Sequence, residues 1–360
     1  MESRDGDHRG EERGIGARMG TDIADEGSGT LGSGTDPGDS DEGPHTGARA
    51  RSEDRATAGD KTVELSLLNA GFCRHIGKLF MPGGPMKAIS IPALFALIRH
   101  PSRGVGLFDT GYSRRFYEGT KKLPYRLYRL ATPTYVKSDD EAVARVKAQG
   151  VEPEEVEWIV LSHLDPDHYG GLPDFPEARV YLSKTSWETL ENLEGKPSVE
   201  HRVLPGALPD DLEERVWPVD LTEGESGDGP RPQKGESGDG PPFYGGSCYG
   251  FSPCVDLFGD ETVRLVSLPG HVPGQLGAFV RTRRHGTVFL VADACWSLMD
   301  LRAKKAGIHR RLAKDKRAQR ETYEKIRELM EIHPEVTVVP SHCPETADSL
   351  SVNTNWRQHS

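Results

Sequence analysis

Short runs of apolar residues recur along the chain between amphipathic segments. Runs rich in β-branched residues are typical of strands, and apolar positions three and four residues apart are typical of helices. The helical spacing occurs in Asp139–Gln149 and Lys316–Ile332. The strand pattern occurs in Thr62–Ala70, Val105–Phe108, Trp158–Leu161, Val180–Leu182, Val263–Leu268, Thr287–Val291 and Val336–Val339. The mixture of the two kinds of element predicts an α/β protein.

Residues 1–60 lack this pattern. They contain no aromatic residue and 13 glycines, and 15 Asp and Glu against 7 Arg give them a net charge of -8 out of the chain's -11. Such a segment cannot bury enough apolar surface to offset its chain entropy. We therefore expect a disordered, acidic, glycine-rich tail at 1–60 and a folded domain at 61–352.

Two further polar segments stand out inside that domain. Residues 223–247 contain the sequence GESGDGP twice, at Gly224–Pro230 and Gly235–Pro241, which predicts a low-complexity loop insertion without a chemical role. Residues 302–327 carry 11 Lys and Arg against 3 Asp and Glu. This excess is typical of a solvated helix face, with an anion-binding surface as the alternative.

Composition excludes several classes of protein. No run of about 18 apolar residues is present, so we expect no membrane-spanning helix, and the beginning of the chain lacks the apolar core of a signal peptide. The negative net charge makes nucleic acid an unlikely partner, and nothing indicates the oligomeric state. The cysteines form no C-x-x-C pair, so we expect reduced thiols in a cytoplasmic protein; they are Cys73, Cys248, Cys254, Cys295 and Cys343.

The strongest chemical signal is the sequence SHLDPDHYGG at residues 162–171. It places His163, Asp165, Asp167 and His168 within six residues, directly after an apolar strand. Without a cation, these groups would have to be desolvated next to one another at a cost in free energy. Metal binding is therefore the economical interpretation.

Three later strands also run directly into a residue that can bind metal. These residues are His271 in a Pro-Gly-His turn, Asp293 and His342. Strands that end together place the following loops at one edge of a sheet, where α/β proteins build their sites. We therefore expect seven ligands to converge, and a mixture of imidazole and carboxylate suits zinc, iron or manganese.

The order of these motifs resembles the metallo-β-lactamase superfamily, whose pattern is H-x-H-x-D-H followed by His, Asp and His. The likeness covers residues 62–345, including a D-T-G turn at Asp109. It implies an αββα sandwich with a two-metal site at one edge. It also implies that His163, Asp165 and His271 hold the first metal, that Asp167, His168 and His342 hold the second, that Asp293 bridges the two, and that Asp109 orients the ligands.

Position 165 departs from the superfamily pattern, which has a histidine there. The carboxylate of Asp165 gives a harder, less positive site, which moves preference from zinc toward iron or manganese without excluding zinc. The flavodiiron branch of the superfamily has a carboxylate at this position and holds iron. A di-iron oxidoreductase with a separate flavoprotein donor is therefore the alternative, although flavodiiron proteins carry a flavodoxin domain where only 18 residues follow His342 here.

Three further features are the sequence LLNAGFC at Leu67–Cys73, the Ile91-Pro92 strand that leads to the D-T-G turn, and Ser162-His163-Leu164 followed by Gly170-Gly171. Through them the chain most resembles the N-acyl-homoserine lactonases within the superfamily. The resemblance implies a hydrolase with two divalent ions, zinc first, in which a bridging hydroxide attacks a small ester, lactone or thioester. Asp167 is then the proton donor to the leaving group. The lactonases have a tyrosine three residues after the bridging aspartate. Here Trp296 takes that position, and its indole N–H can donate to a substrate carbonyl but cannot exchange a proton.

Overall fold

The computed structural model describes residues 61–80, 83–194, 196–221, 244–303 and 312–350. Two mixed β-sheets make up its centre. The first has seven strands in the order β4-β1-β2-β3-β5-β6-β7, with parallel pairing from β3 through β7 and antiparallel pairing elsewhere. Its strands are β1 (Glu64–Ile76), β2 (Ala88–His100), β3 (Gly104–Phe108), β4 (Thr134–Tyr135), β5 (Val156–Val160), β6 (Arg179–Ser183) and β7 (Val216–Val219).

The second sheet has six strands in the order β13-β12-β11-β10-β9-β8. Only the β12–β13 pair is parallel among these described strands. They are β8 (Tyr244–Cys248), β9 (Phe251–Asp256), β10 (Val263–Ser267), β11 (Leu276–Thr282), β12 (Gly286–Ala292) and β13 (Thr337–Pro340).

Helices lie in the connections, and most are short. The longest described helix is α9, whose first turn is capped by the Asp315 carboxylate accepting from the backbone N–H groups of Arg317 and Ala318. The helices are α1 (Gly77–Phe80), α2 (Arg115–Gly119), α3 (Tyr125–Ala131), α4 (Ala142–Lys147), α5 (Pro166–Tyr169), α6 (Lys184–Asn192), α7 (Leu212–Arg215), α8 (Leu298–Arg302), α9 (Lys316–Ile332) and α10 (Pro344–Ser349).

Three apolar clusters define four layers. Strand β5 shows how: Trp158 and Val160 point into a cluster shared with the second sheet, whereas Ile159 points into the cluster beneath the helices of the first sheet. A third cluster joins Phe279 and Phe289 of the second sheet to the apolar side of α9. Because successive strand residues face opposite sides, both sheets are covered on both faces. The αββα sandwich expected from the sequence is confirmed.

All seven predicted strands occur, with shifted ends. The predicted helix Asp139–Gln149 is shorter than expected, because Glu141 is extended (φ -60°, ψ 149°) and separates a 3₁₀ turn from α4. Its carboxylate accepts hydrogen bonds from the Ser113 hydroxyl and the Arg114 backbone N–H. A contact distant in sequence therefore overrides the local helical pattern.

The predicted tail at 1–60 lies outside the described residues, and so does the predicted insertion up to residue 243. The last residues of that insertion, from Tyr244 onward, begin strand β8. The basic segment is described at 302–303 and from 312 onward, where much of it belongs to α9. Within the described residues, no helix is long and apolar enough to cross a membrane.

The expectation of five reduced thiols is wrong for one pair. Cys248 and Cys254 form a disulfide across the β8–β9 hairpin, with their Cα atoms 5.9 Å apart. Their separation of six residues is not a recognised motif, and only the hairpin turn between them brings them together. Cys73, Cys295 and Cys343 are free and buried. The cytoplasmic location stays a prediction.

Candidate metal centre

The expected ligands converge at one edge of the two sheets. His163 and Asp165 follow β5, and α5 adds Asp167 and His168 in the next turn. From the second sheet, the loops after β10, β12 and β13 bring in His271, Asp293 and His342. The turn before His271 needs a glycine: Gly270 has φ +132°, and a Cβ there would lie 2.3 Å from the backbone of Gln319 on α9.

His163, Asp165, His271 and Asp293 form a first group, whose ligand atoms all lie within 4.8 Å of one another. Asp165 Oδ2 lies 3.5 Å from His163 Nε2 and 3.3 Å from His271 Nε2, and Asp293 Oδ2 lies 3.5 Å from His271 Nε2. A tetrahedral ion with bonds of about 2.0–2.1 Å places its ligand atoms roughly 3.3–3.4 Å apart. The first group therefore has the size of a zinc-type site.

Asp167, His168 and His342 form a second group. His342 Nε2 lies 3.3 Å from Asp167 Oδ2, while His168 Nε2 lies 4.0 Å from the same oxygen. The other oxygen of Asp293, Oδ1, lies 3.3 Å from His168 Nε2 and 3.1 Å from His342 Nε2. Asp293 thus presents one oxygen to each group, which is the arrangement of a bridging ligand.

A buried hydrogen-bond network fixes the orientation of three of the four histidines. Asp109 accepts from the backbone N–H of Ser162 at 2.7 Å, from the Ser162 hydroxyl at 2.8 Å and from His168 Nδ1 at 2.8 Å. The Ser162 oxygen in turn accepts from His163 Nδ1 at 2.9 Å. The Pro92 carbonyl accepts from His342 Nδ1 at 2.7 Å. Each donation leaves the Nε2 lone pair directed into the site.

Several buried polar atoms of the site lack a hydrogen-bond partner, and they indicate whether its residues fit metal ions. His163 Nε2, His168 Nε2 and Asp293 Oδ1 are buried without a hydrogen-bond partner, although such groups are costly to bury unpaired. The four imidazoles and three carboxylates of the two groups are a suitable donor set for divalent cations. The residues therefore fit two such ions.

Burial and mutual contact shift the pKa values within the cluster. Burial opposes ionisation of Asp293, but His342 and His168 outweigh burial and hold the pKa of that carboxyl well below its usual range. Burial also opposes protonation of His342, yet Asp293 and Asp167 raise the pKa of that imidazole to about 10. The carboxylates are therefore ionised at neutral pH, as ligands must be, whereas His342 has to release a proton before its Nε2 can bind a cation.

Asp165 has a partner, Arg202, that no sequence motif predicts. Arg202, in the loop after α6, donates from Nη1 to Asp165 Oδ2, and the same nitrogen lies 3.2 Å from His271 Nε2. Burial raises the pKa of Asp165, but the Arg202 guanidinium and His163 outweigh it and hold that pKa well below its usual range. Arg202 therefore belongs to the site although no motif contains it.

Trp296 lies at the site but does not present its donor as expected. Its indole N–H donates to Asp293 Oδ2 at 2.9 Å. The ring stacks on Phe80 at 5.2 Å between centroids and meets His342 edge-on. In this arrangement the indole N–H holds the carboxylate shared by both groups, whereas the likeness to the lactonases implied a donor to the substrate.

A cavity of about 410 Å³ opens above the two groups. Asp165, Asp167, His271, Asp293 and His342 lie at its floor. Its wall combines apolar and aromatic side chains with charged ones. The former include Phe80, Ile91, Tyr112, Tyr128 and Trp296, and the latter include Glu200, Arg202 and Lys314. The size and lining are typical of a site for a small organic molecule.

The four-layer fold and the bridged histidine and aspartate groups at its edge define a metal-dependent hydrolase. A family model described as the metallo-beta-lactamase superfamily matches residues 93–342. The chain belongs to that superfamily.

Relatives and solved structures agree with this family. The chain is 26% identical over 247 residues to the N-acyl homoserine lactonase AttM of Azorhizobium caulinodans, covering 66% of this chain and 78% of that protein. A solved N-acyl homoserine lactone hydrolase with N-hexanoyl-L-homoserine at its catalytic metal centre matches with a TM-score of 0.55 and 19% identity, over 80% of this chain and 96% of the other. AidC, a dizinc quorum-quenching lactonase, matches with a TM-score of 0.51 and 16% identity, over 79% and 89%. The predicted likeness to the lactonase branch is confirmed.

Proposed function

We propose that this protein uses two divalent metal ions to hydrolyse a small lactone, ester or thioester, as an N-acyl-homoserine lactonase-like enzyme. The observation that carries the proposal is the position of Asp293. Its two oxygens face two separate ligand groups on the floor of a cavity of about 410 Å³. The similarity to AttM supports the class of substrate.

His163, Asp165, His271 and Asp293 would hold one ion, and Asp167, His168, His342 and Asp293 the other. The four imidazoles favour zinc. The oxygens of Asp165, Asp167 and Asp293 also suit iron or manganese, which we expect to compete with zinc for the site.

When bound, the ions supply Lewis acidity and a water of lowered pKa. Asp167 is placed to transfer a proton from this water. Its side chain is 12% exposed, lines the cavity and lies 3.3 Å from His342 Nε2. As a carboxylate at neutral pH, it can accept a proton from the attacking water and pass it to the leaving oxygen.

The remaining residues position these groups and exclude water. The Trp296 N–H holds Asp293, and Asp109 holds His168 and, through Ser162, His163. The apolar part of the cavity wall, including Phe80 and Ile91, is suited to cover the acyl part of a substrate.

A metal and activity assay tests this proposal. We expect purified protein to contain about two ions per chain and to open lactones, or cleave esters or thioesters, in a panel followed by proton release. Asp293→Ala should lose both metal and activity. The matched control is Asp174→Ala, which removes a carboxylate paired with Arg115 away from the cavity. Metal-loaded protein that hydrolyses nothing in the panel but consumes oxygen with a reduced flavin donor would instead support the di-iron oxidoreductase.

A further inference from the structure

The carboxylate at position 165 is paired with a cation from a distant loop. The first ligand group contains two carboxylates, Asp165 and Asp293, in addition to His163 and His271. The Arg202 guanidinium donates to Asp165 Oδ2 and lies 3.2 Å from His271 Nε2, so the cation is at the border of the group itself. An ionised aspartate paired with arginine has no net charge, as a neutral imidazole has none.

The surroundings of the pair make its interaction strong. The Asp165 side chain is 7% exposed and the Arg202 side chain 20% exposed. In such a partly buried position charges are screened less than at the surface, and breaking the pair leaves an uncompensated charge. The positive charge of the guanidinium therefore offsets negative charge in the first group more strongly than a solvent-exposed ion pair would.

The loop that carries Arg202 is attached to the metal-binding turn. The Tyr169 hydroxyl, at the end of α5, donates to the Arg202 carbonyl at 3.0 Å and accepts from the Leu204 N–H at 3.0 Å. Tyr169 is fully buried. Arg202 has φ +57°, a left-handed conformation that is uncommon for a residue other than glycine. Tyr169 thus fixes the backbone from which the Arg202 side chain extends relative to α5, which carries Asp167 and His168.

We propose that Arg202 is a charge-compensating and positioning residue that sets how tightly the first group binds a divalent cation. The Asp165–Arg202 pair takes the electrostatic place of one neutral imidazole. This inference rests on the metal-binding role assigned under the proposed function. It makes Asp165 and Arg202 one unit, so neither residue can be exchanged alone without changing the charge of the group.

The pairing predicts opposite effects for two single variants. Arg202→Gln removes the cation and leaves the carboxylate, so zinc should bind more tightly, by about 10-fold or more, because the repulsion between the guanidinium and the divalent ion is lost. Asp165→His leaves the cation beside three imidazoles, so zinc should bind more weakly by a similar factor. The double variant D165H/R202Q should return toward the wild-type affinity, and R202K should stay nearer to wild type than R202Q.

The experiment is a zinc titration by chelator competition on the full chain, with the free zinc concentration at half-loading as the readout. Arg115→Gln is the matched control, because it removes an arginine from a partly buried pair, with Asp174, outside the cavity lining. Weaker or unchanged zinc binding in R202Q would overturn the proposal, as would equal affinities for D165H and D165H/R202Q. If R202Q does not fold because its Asp165 carboxylate is left unpaired, the double variant lacks that carboxylate, and its comparison with D165H decides the question.

The titration also separates this inference from the proposed function. The predicted pattern of zinc affinities in a protein that hydrolyses nothing would contradict only the proposed reaction. Lactone hydrolysis by a protein whose zinc affinity does not respond to R202Q would contradict only the role of Arg202.

Discussion

Replacing Asp109 by asparagine tests the network behind the ligands without touching a ligand. Asp109 is fully buried and accepts three hydrogen bonds, two from Ser162 and one from His168 Nδ1. Asparagine has the same shape but one acceptor oxygen and one donor group. In Asp109→Asn, at least one of the three donors must therefore face the amide N–H₂.

The structure indicates which of the three hydrogen bonds fail and how much metal affinity their loss costs. Both the Ser162 hydroxyl and His168 Nδ1 donate to Oδ2, whereas the backbone N–H of Ser162 donates to Oδ1. With the amide nitrogen at Oδ2, the imidazole of His168 avoids a clash of donors by carrying its proton on Nε2, the atom that faces the second group. Loss of such an orienting partner weakens metal binding by about 10- to 100-fold, or about 1.4–2.7 kcal/mol.

The assay is metal content after dialysis against a series of buffered zinc concentrations, combined with thermal unfolding of the metal-free protein. We expect D109N to fold, to keep the metal of the first group better than that of the second, and to need about 10- to 100-fold more free zinc for full loading. Asp174→Asn is the control for an aspartate-to-asparagine change outside the site. A wild-type zinc profile in D109N would refute the orienting role of Asp109.

Four further outcomes can be measured. Asp167→Asn should keep most of its metal but lose about 10²-fold or more in turnover, as expected for a proton-transfer group; an equal loss of metal would identify Asp167 as mainly a ligand. Trp296→Phe keeps the stacking on Phe80 but loses the bond to Asp293, so zinc affinity should fall, and unchanged affinity would show that this bond has no role. Removing metal with a chelator should lower the unfolding free energy by about 2.7 kcal/mol relative to protein at 100 times the dissociation constant, measured by denaturant titration. Deletion of residues 1–60 should leave the melting temperature and metal content unchanged, and a loss of folded protein would show that the tail contributes structure.

The sequence predicted those parts of the structure that depend on local pattern. Strand β5 alternates between two apolar clusters, and the polar residues that follow it are recognisable because they come directly after that apolar run. The same logic located His271, Asp293 and His342, since each follows a strand whose end is fixed by the sheet. These loops converge because their strands end at the same edge, so their convergence could be expected before any distance was known.

The remaining features depend on contacts that no local pattern encodes. Arg202 reaches Asp165 across 37 residues and in a left-handed backbone conformation. The Trp296 N–H has two candidate acceptors, substrate and Asp293, and only the position of the ring selects between them. The Cys248–Cys254 pair requires the hairpin that joins them. In each case the chemistry of the side chain was visible in the sequence, but its partner was not.

Four of the candidate ligands come from the first sheet and three from the second, so a bound metal centre would link the two sheets. Each group takes two ligands from the segment that follows β5 in the first sheet. Its remaining ligands come from loops of the second sheet. Near it, two backbone hydrogen bonds already cross between the sheets, from Leu276 N–H to the Ser162 carbonyl at 2.8 Å and from Leu94 N–H to the Ser341 carbonyl at 2.9 Å. Ions bound there would hold the two sheets together at this edge, because each ion would have ligands from both sheets. Separating the sheets at this edge would then require releasing the ions, so amide exchange in β5 and β12 should slow together when metal binds.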